Sequence, residues 1–180
     1  MKRVLLLCSS TDGHTRRICE RVRELLEAGG RAVTLVDVEA AGDVSPGAFD
    51  MTVIGARIRY GKTDTRVFDF VKRHATSLQA RPSAFFSVNI VARKPAKNRA
   101  ETNPYVQAFL RGVDWRPRLL EVFAGKLDYP RYGPIDRAMI RLIMWMTNGP
   151  TRPDAVVDFT DWSRVEAFAA RLLETSAAHA

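Results

Sequence analysis

The chain has 180 residues, 46% of them apolar and 27% charged, the proportions of a folded protein with a substantial core rather than a disordered chain. Its net charge of +8 is unevenly placed: residues 81–152 hold 13 Lys/Arg against 5 Asp/Glu, and the remainder balances at 15 of each. No stretch nears the roughly 20 apolar residues of a membrane-spanning helix, and the first apolar run is too short for a signal peptide, so one cytoplasmic domain over residues 1–180 is expected.

The run from Val4 to Cys8 reads as a short strand that stops in a hydroxyl-rich turn, Ser9-Ser10-Thr11-Asp12-Gly13-His14-Thr15. A helix over about 13–29 follows, with Ile18, Val22, Leu25 and Leu26 on one face and Gly29-Gly30 as its stop. Hydroxyls and free N–H groups at a helix N-terminus suit a phosphate. Locally, they suit an ordinary N-cap cluster equally well. Arg31–Asp37 and Met51–Ala56 read as strands, and Thr65–Leu78 as a helix carrying Val67, Phe68, Val71 and Leu78.

Ser83–Asn89 is a fourth strand, and a basic polar stretch over 90–101 leads to a helix over Thr102–Leu110 and a fifth strand, Leu119–Ala124. Residues 129–153 interrupt the alternation with a loop, a helix over about Ile135–Thr147 and the breaker Asn148-Gly149-Pro150. The last helix spans about Asp161–Glu174. Strands that are apolar rather than alternating, interleaved with helices, indicate an α/β fold: a doubly wound five-stranded parallel sheet with an inserted helical segment before the last helix.

Cys8 and Cys19 lack metal-ligand spacing and read as buried free thiols; no His/Cys/carboxylate cluster suggests a metal. His14 is placed to touch a ligand in the opening loop, whereas His74 and His179 read as solvated. Trp115 and Trp162 read as core or helix-capping aromatics. The concentrated positive charge points to an anionic partner such as nucleic acid, a phospholipid surface or an acidic small molecule. The basic segment lacks the interleaved aromatics of a stacking platform, which disfavours nucleic acid.

Ligands of open α/β sheets bind beyond the carboxyl ends of the strands, where strand order reverses. That rule selects three loops here: Ser9–Thr15, Ala56–Lys62 and Asn89–Lys94. Neither GxGxxG nor GxxxxGK[ST] is present, which disfavours dinucleotide and P-loop nucleotide binding. A loop of hydroxyls and N–H groups without lysine suits a monoester phosphate such as that of FMN.

The loop Ser10-Thr11-Asp12-Gly13-His14-Thr15 resembles the flavodoxin phosphate loop, with Asp12 where that family usually carries threonine. Three longer stretches are more specific: 54–61 (IGARIRYG), 87–95 (SVNIVARKP), and Tyr129-Pro130-Arg131-Tyr132 with Asp136-Arg137. Together they resemble, over nearly the whole chain, the oxygen-independent, quinone-dependent protoporphyrinogen oxidase family of bacterial haem synthesis. The resemblance implies a flavodoxin-like fold, FMN as cofactor, protoporphyrinogen IX as substrate and menaquinone or ubiquinone as electron acceptor. It implies an enzyme at the cytoplasmic face of the inner membrane, with three two-electron cycles per porphyrin, and leaves a homo-oligomer open.

By position, Ser10, Thr11, Asp12, Gly13, His14 and Thr15 would hold the phosphate. Ala56, Arg57, Ile58, Arg59, Tyr60 and Gly61, with Ser87, Val88, Asn89, Ile90, Val91, Ala92 and Arg93, would border the isoalloxazine. Tyr60 is a candidate to stack on the flavin. Arg57, Arg59, Arg93 and Lys94 are candidates for propionate or flavin-anion contacts, against the plainer reading of solvated charges. No residue marks itself as a dedicated general base, which a flavin reaction tolerates.

On a helical wheel the inserted helix shows Ile135, Met139, Leu142, Ile143 and Met146 on one apolar face, widened by Ile140, Met144 and Trp145, with Arg137 and Arg141 as a basic strip. A wide apolar arc with Trp and flanking Arg suits docking on a membrane or on substrate; packing on the protein's own core is the alternative. Arg131 joins these as a candidate contact. An NAD(P)H:quinone reductase and a soluble electron-carrier flavodoxin remain the competing functions.

Overall fold

A computed structural model describes residues 1–177. Its elements are β1 (Arg3–Ser9), α1 (His14–Ala28), β2 (Ala32–Asp37), β3 (Met51–Arg59), β4 (Lys62–Thr63), α2 (Thr65–Ala80), β5 (Ser83–Asn89), α3 (Pro104–Arg111), β6 (Leu119–Ala124), β7 (Lys126–Asp128), α4 (Pro134–Met146), β8 (Val156–Asp158) and α5 (Trp162–Ala177). The main sheet runs β2-β1-β3-β5-β6 with every pair in that path parallel, and β4 folds back antiparallel on the end of β3.

Because successive strand residues point to opposite faces, each strand feeds two cores. Val4, Leu6, Val53, Phe86 and Phe123 pack beneath α1 and α5, against Ile18, Val22, Leu26, Val165, Phe168 and Leu172. Leu5, Leu7, Ile54, Phe85 and Val122 pack beneath α2 and α3, against Val67, Phe70, Val71, Val106 and Phe109. Trp115 is fully buried in this second layer and its indole N–H donates to Ser83 Oγ (3.0 Å). Cys8 and Cys19 are free and buried.

The fold is the flavodoxin-like doubly wound sheet with its inserted helix before α5. Three departures from the sequence reading concern local structure. β3 extends three residues past Ala56, because Ile58 and Arg59 pair with Thr63 and Lys62 of β4. The stretch after β5 forms two short 3-10 turns rather than an open loop. The insertion begins and ends in a two-stranded antiparallel ribbon, β7–β8, closed by Lys126↔Asp158 and Asp128↔Val156. His74 is half-buried and packs on Phe70 (ring centroids 4.7 Å apart), so it is not simply solvated. His179 lies outside the described residues.

Candidate functional site

A cleft opens beyond the carboxyl ends of β1, β3 and β5. There the chain leaves β1 for β2 on one side and then crosses to β3 on the other, which makes it the switch point of the sheet.

One wall is the loop between β1 and α1. Gly13 takes φ +81°, and a Cβ there would meet nothing within 4 Å. Only a residue tolerant of the left-handed region turns the chain this sharply into α1. No side chain caps α1, so the N–H groups of its first turn point outward without intrahelical acceptors. Ser10 Oγ is buried and has no hydrogen-bond partner among the described residues.

His14, at the start of α1, is held from the far side of the insertion. Thr160 gives its one hydroxyl hydrogen to the Ala124 carbonyl (2.8 Å), so at 2.7 Å its oxygen accepts from His14 Nε2–H. The neutral ring therefore presents Nδ1 as an acceptor. Burial holds this imidazole below its ordinary pKa, against the pull of Asp158 at 3.7 Å.

The second wall is the end of β3. Asp64, in front of α2, accepts from Ser9 Oγ (2.9 Å) and from Arg66 Nη2 (2.8 Å) and Nε (3.0 Å). Chiefly through Arg66, its carboxyl falls to a pKa of about 2. Arg57 stands farther off, with Nη2 at 3.6 Å from the same carboxylate. Tyr60 takes φ +50° ahead of Gly61 at +74°, and its hydroxyl donates to Asp136 Oδ1 in the first turn of α4. Arg59 Nη2 donates to the other oxygen of Asp136 (2.7 Å). The β3 loop is thereby clasped to the insertion across the cleft mouth.

The third wall is the end of β5 together with the residues after β6. Asn89 is buried: its Nδ2 donates to Ser87 Oγ (3.1 Å), and its Oδ1 accepts from the Ala92 N–H (3.1 Å) and from Asn103 Nδ2 (3.2 Å). This closed network fixes the turn that follows the strand. Arg93 Nη2 donates to Thr147 Oγ1 (2.8 Å) and to the Thr147 carbonyl (3.0 Å), tying that turn to the end of α4. Gly149 lets the guanidinium lie close, since a Cβ there would sit 2.8 Å from Arg93 Nη2.

Of the residues expected from sequence, Ser10, Thr11, Asp12, His14 and Thr15 line the cleft, as do Arg57, Ile58, Arg59 and Tyr60, and Val88, Asn89 and Ile90. Gly13 instead faces a neighbouring hollow with Arg16 and Arg66. The others lie off the cleft lining. Ala56 and Ser87 are buried within their strands, Ala92 is core, and Gly61, Val91, Arg93 and Lys94 do not line the cleft. Arg131 reaches over the loop, Nη1 at 3.5 Å from the Asp12 carbonyl.

The inserted helix corrects the wheel reading. Met144 is fully buried with Leu127 and Tyr129, and Ile140, one turn earlier, packs on the same cluster and lines the cleft. They are the inward face, not an extension of the outer one. Ile135, Leu142, Trp145 and Met146 are solvent-facing, 57–76% exposed. Arg137 and Arg141 form no free basic strip. Arg137 donates to the Tyr129 (3.2 Å) and Tyr132 (3.3 Å) carbonyls, and Arg141 to the Thr151 carbonyl (3.0 Å).

Gly125, Lys126, Leu127, Tyr132 and Asp136 line the cleft without having been singled out for it. Lys126-Leu127-Asp128 does carry a strand's alternation, with Leu127 buried between the paired Lys126 and Asp128 (2.8 Å). Three residues are too few for that pattern to stand out in the sequence.

The flavodoxin-domain family matches this chain over residues 5–154. A protein of Escherichia coli (strain K12) named protoporphyrinogen IX dehydrogenase (quinone) is 44% identical over 167 residues, covering 93% of this chain and 92% of that one. A Leishmania major protein of the same name is 42% identical over 166 residues, covering 92% of this chain and 72% of its own length. Among solved structures, oxidised flavodoxin 1 of Bacillus cereus superposes with a TM-score of 0.53 at 11% identity, covering 96% and 97% of the two chains. A WrbA-like flavodoxin of Agrobacterium tumefaciens gives 0.50 at 15%, covering all of both. At such identities the superpositions show the fold alone, whereas the sequence relatives show the family. The chain belongs to the flavodoxin-domain family and, within it, to the family of the protoporphyrinogen IX dehydrogenases (quinone).

Proposed function

We propose that this chain is an FMN-dependent oxidoreductase that converts protoporphyrinogen IX to protoporphyrin IX in haem synthesis and delivers the electrons to menaquinone or ubiquinone. The observation that carries the reading is a single cleft with two unlike sides. Its inner side is an uncapped helix N-terminus, and its outer wall includes Asp136 and Ile140 of a helix whose opposite face is apolar and exposed. The names of relatives at 44% and 42% identity support the substrate and the acceptor.

The residues present fit a flavin phosphate. The open turn at Gly13, the uncapped start of α1 and the unpartnered Ser10 hydroxyl together form a cradle that lacks an anion's worth of acceptors. Ser10, Thr11 and Thr15, with the N–H groups of Gly13 and His14, would hold the phosphate. Bound flavin supplies the two-electron chemistry.

The protein's own part is to orient and to shield. Ile58, Val88, Ile90 and Leu127 give the cleft apolar walls that exclude water. Arg131 brings positive charge over the β1–α1 loop, where the propionates of the substrate would be drawn, while Arg59 and Lys126 line the cleft paired with Asp136 and Asp128. The exposed apolar face of α4 would rest on the anionic cytoplasmic leaflet, bringing the cleft mouth to the lipid-soluble quinone. No helix among the described residues is long and apolar enough to cross a membrane, so this contact is peripheral.

The test is an anaerobic assay of the flavin-loaded protein with protoporphyrinogen and a quinone, following porphyrin fluorescence. Porphyrin is expected to form well above the uncatalysed rate only when both are present. Absence of porphyrin together with brisk NADPH oxidation would overturn the reading in favour of an NAD(P)H:quinone reductase.

A further inference from the structure

Arg57 is left with a charge that nothing in the protein fully answers. Its Nε is buried and has no hydrogen-bond partner among the described residues. Its one ion pair among the described residues is long, 3.6 Å to Asp64. That carboxylate is already committed to the Arg66 guanidinium, the Arg66 N–H and the Ser9 hydroxyl. Burial depresses the Arg57 pKa, yet a guanidinium stays charged at any physiological pH. A partly buried cation with an idle donor costs free energy unless an anion completes it.

The register says where that anion would lie. Ser9 pairs with Ala56, so Arg57 comes one step beyond the last β1–β3 pair, beside Ser10. Its partner on the other side is Val88, which packs in the core layer that α1 covers. Arg57 leaves the carboxyl end of β3 with its guanidinium near Asp64 in front of α2, and it lines the same cleft as Ser10, Thr11 and His14 at the start of α1. Two idle buried donors, Arg57 Nε and Ser10 Oγ, thus belong to residues lining the same cleft.

We infer that Arg57 is a direct ligand of the cofactor's phosphate and sets the preference for the phosphorylated flavin over the unphosphorylated one. This rests on the FMN reading above, and it revises the sequence expectation that neutral donors alone hold the phosphate and that Arg57 borders the ring. A guanidinium offers that anion paired, charge-assisted donors that hydroxyls and N–H groups cannot. It places the ion pair at the carboxyl end of the central strand β3.

The experiment titrates the apoprotein with FMN and, separately, with riboflavin, following quenching of flavin fluorescence. Wild type is expected to bind FMN much more tightly than riboflavin. In Arg57→Gln the FMN affinity should fall roughly 10- to 100-fold, the loss of a hydrogen bond to a charged group, while the riboflavin affinity stays put. Circular dichroism and a melting curve of the apoprotein establish that the variant is folded; if it is not, Arg57→Met gives the same comparison with the stem of the side chain retained. Equal losses for the two ligands would overturn the inference, because they would place Arg57 against the ring or in the fold. An unchanged FMN affinity would overturn it too. Failure of the wild type to bind FMN at all would instead remove the cofactor reading itself, so the two failures are told apart.

Discussion

Beneath α1 and α5 the main sheet buries phenylalanines edge to face, with Phe86 between Phe123 (5.4 Å) and Phe168 (5.7 Å), and its other face is covered just as fully by α2 and α3. In the segment from β7 to β8 only Leu127, Tyr129 and Met144 form a buried cluster. That segment is held instead by polar side chains reaching main-chain carbonyls: Arg137 to Tyr129 and Tyr132, Arg141 to Thr151, and Tyr129 Oη to Pro150 (2.8 Å). Hydrogen bonds of this kind contribute about 1–3 kcal/mol each, while a buried aromatic contributes about 3–5 kcal/mol. The sheet is thus a rigid cradle and the insertion a lightly fastened wall, free to show its apolar side outward because so little of it is spent inward.

The contrast predicts different responses to truncation. Phe86→Ala should lower global stability by about 3–5 kcal/mol, read as the midpoint of chemical denaturation. Met144→Ala removes a fully buried side chain as well, but the thin cluster around it opens locally. Its effect on the global midpoint should be below about 1 kcal/mol by the same reasoning, with protease cutting within residues 130–155 accelerated. If Met144→Ala shifts the midpoint as far as Phe86→Ala does, sheet and insertion unfold as one unit and the comparison fails.

A smaller effect probes the edge where the cradle meets the cleft. Asp64 has a pKa of about 2 in the folded protein against an ordinary 3.8. A depressed carboxyl stabilises the fold above its unfolded value, and the contribution disappears as pH falls through the folded one. Asp64→Asn should therefore cost about 2 kcal/mol at pH 7, and the gap between variant and wild type should close as pH drops from about 4 to about 2. A gap that stays constant across that range would mean that the Arg66 and Ser9 contacts stabilise through geometry rather than charge.

The same contrast governs what could be read from the sequence. Strands β5 and β6 were legible to the residue, Ser83–Asn89 and Leu119–Ala124, because strands covered on both faces are predominantly apolar rather than alternating. The cleft loops followed from the position of those strand ends. The insertion was legible as a helix but not as an oriented one: on an isolated wheel Ile140 and Met144 look like extra width. What turns them inward is Leu127 and Tyr129, contributed by a three-residue strand and a turn too short to register as elements. Arg137 and Arg141 misled for the same reason, since charge in a sequence does not show which carbonyls lie within reach. The unpartnered Nε of Arg57 is legible only in three dimensions, as the absence of an acceptor.

The smallest predicted effect tests what the outer face of α4 is for. Leu142 and Trp145 are 57% and 71% exposed, so replacing both with serine should leave stability within about 0.5 kcal/mol. On vesicles with an anionic lipid fraction the outcome should differ. Burying a large apolar side chain contributes about 1.5–3 kcal/mol, and even partial insertion of two such side chains makes the double variant Leu142→Ser/Trp145→Ser bind at least roughly tenfold more weakly. Cofactor affinity should not move, because neither residue lines the cleft. Met144 is the wrong residue for this test, as its loss would loosen the wall and mimic a membrane defect. Vesicle binding unchanged in the double variant would mean that the lightly fastened wall faces something other than lipid, and its sparse anchoring would then need a different partner to explain it.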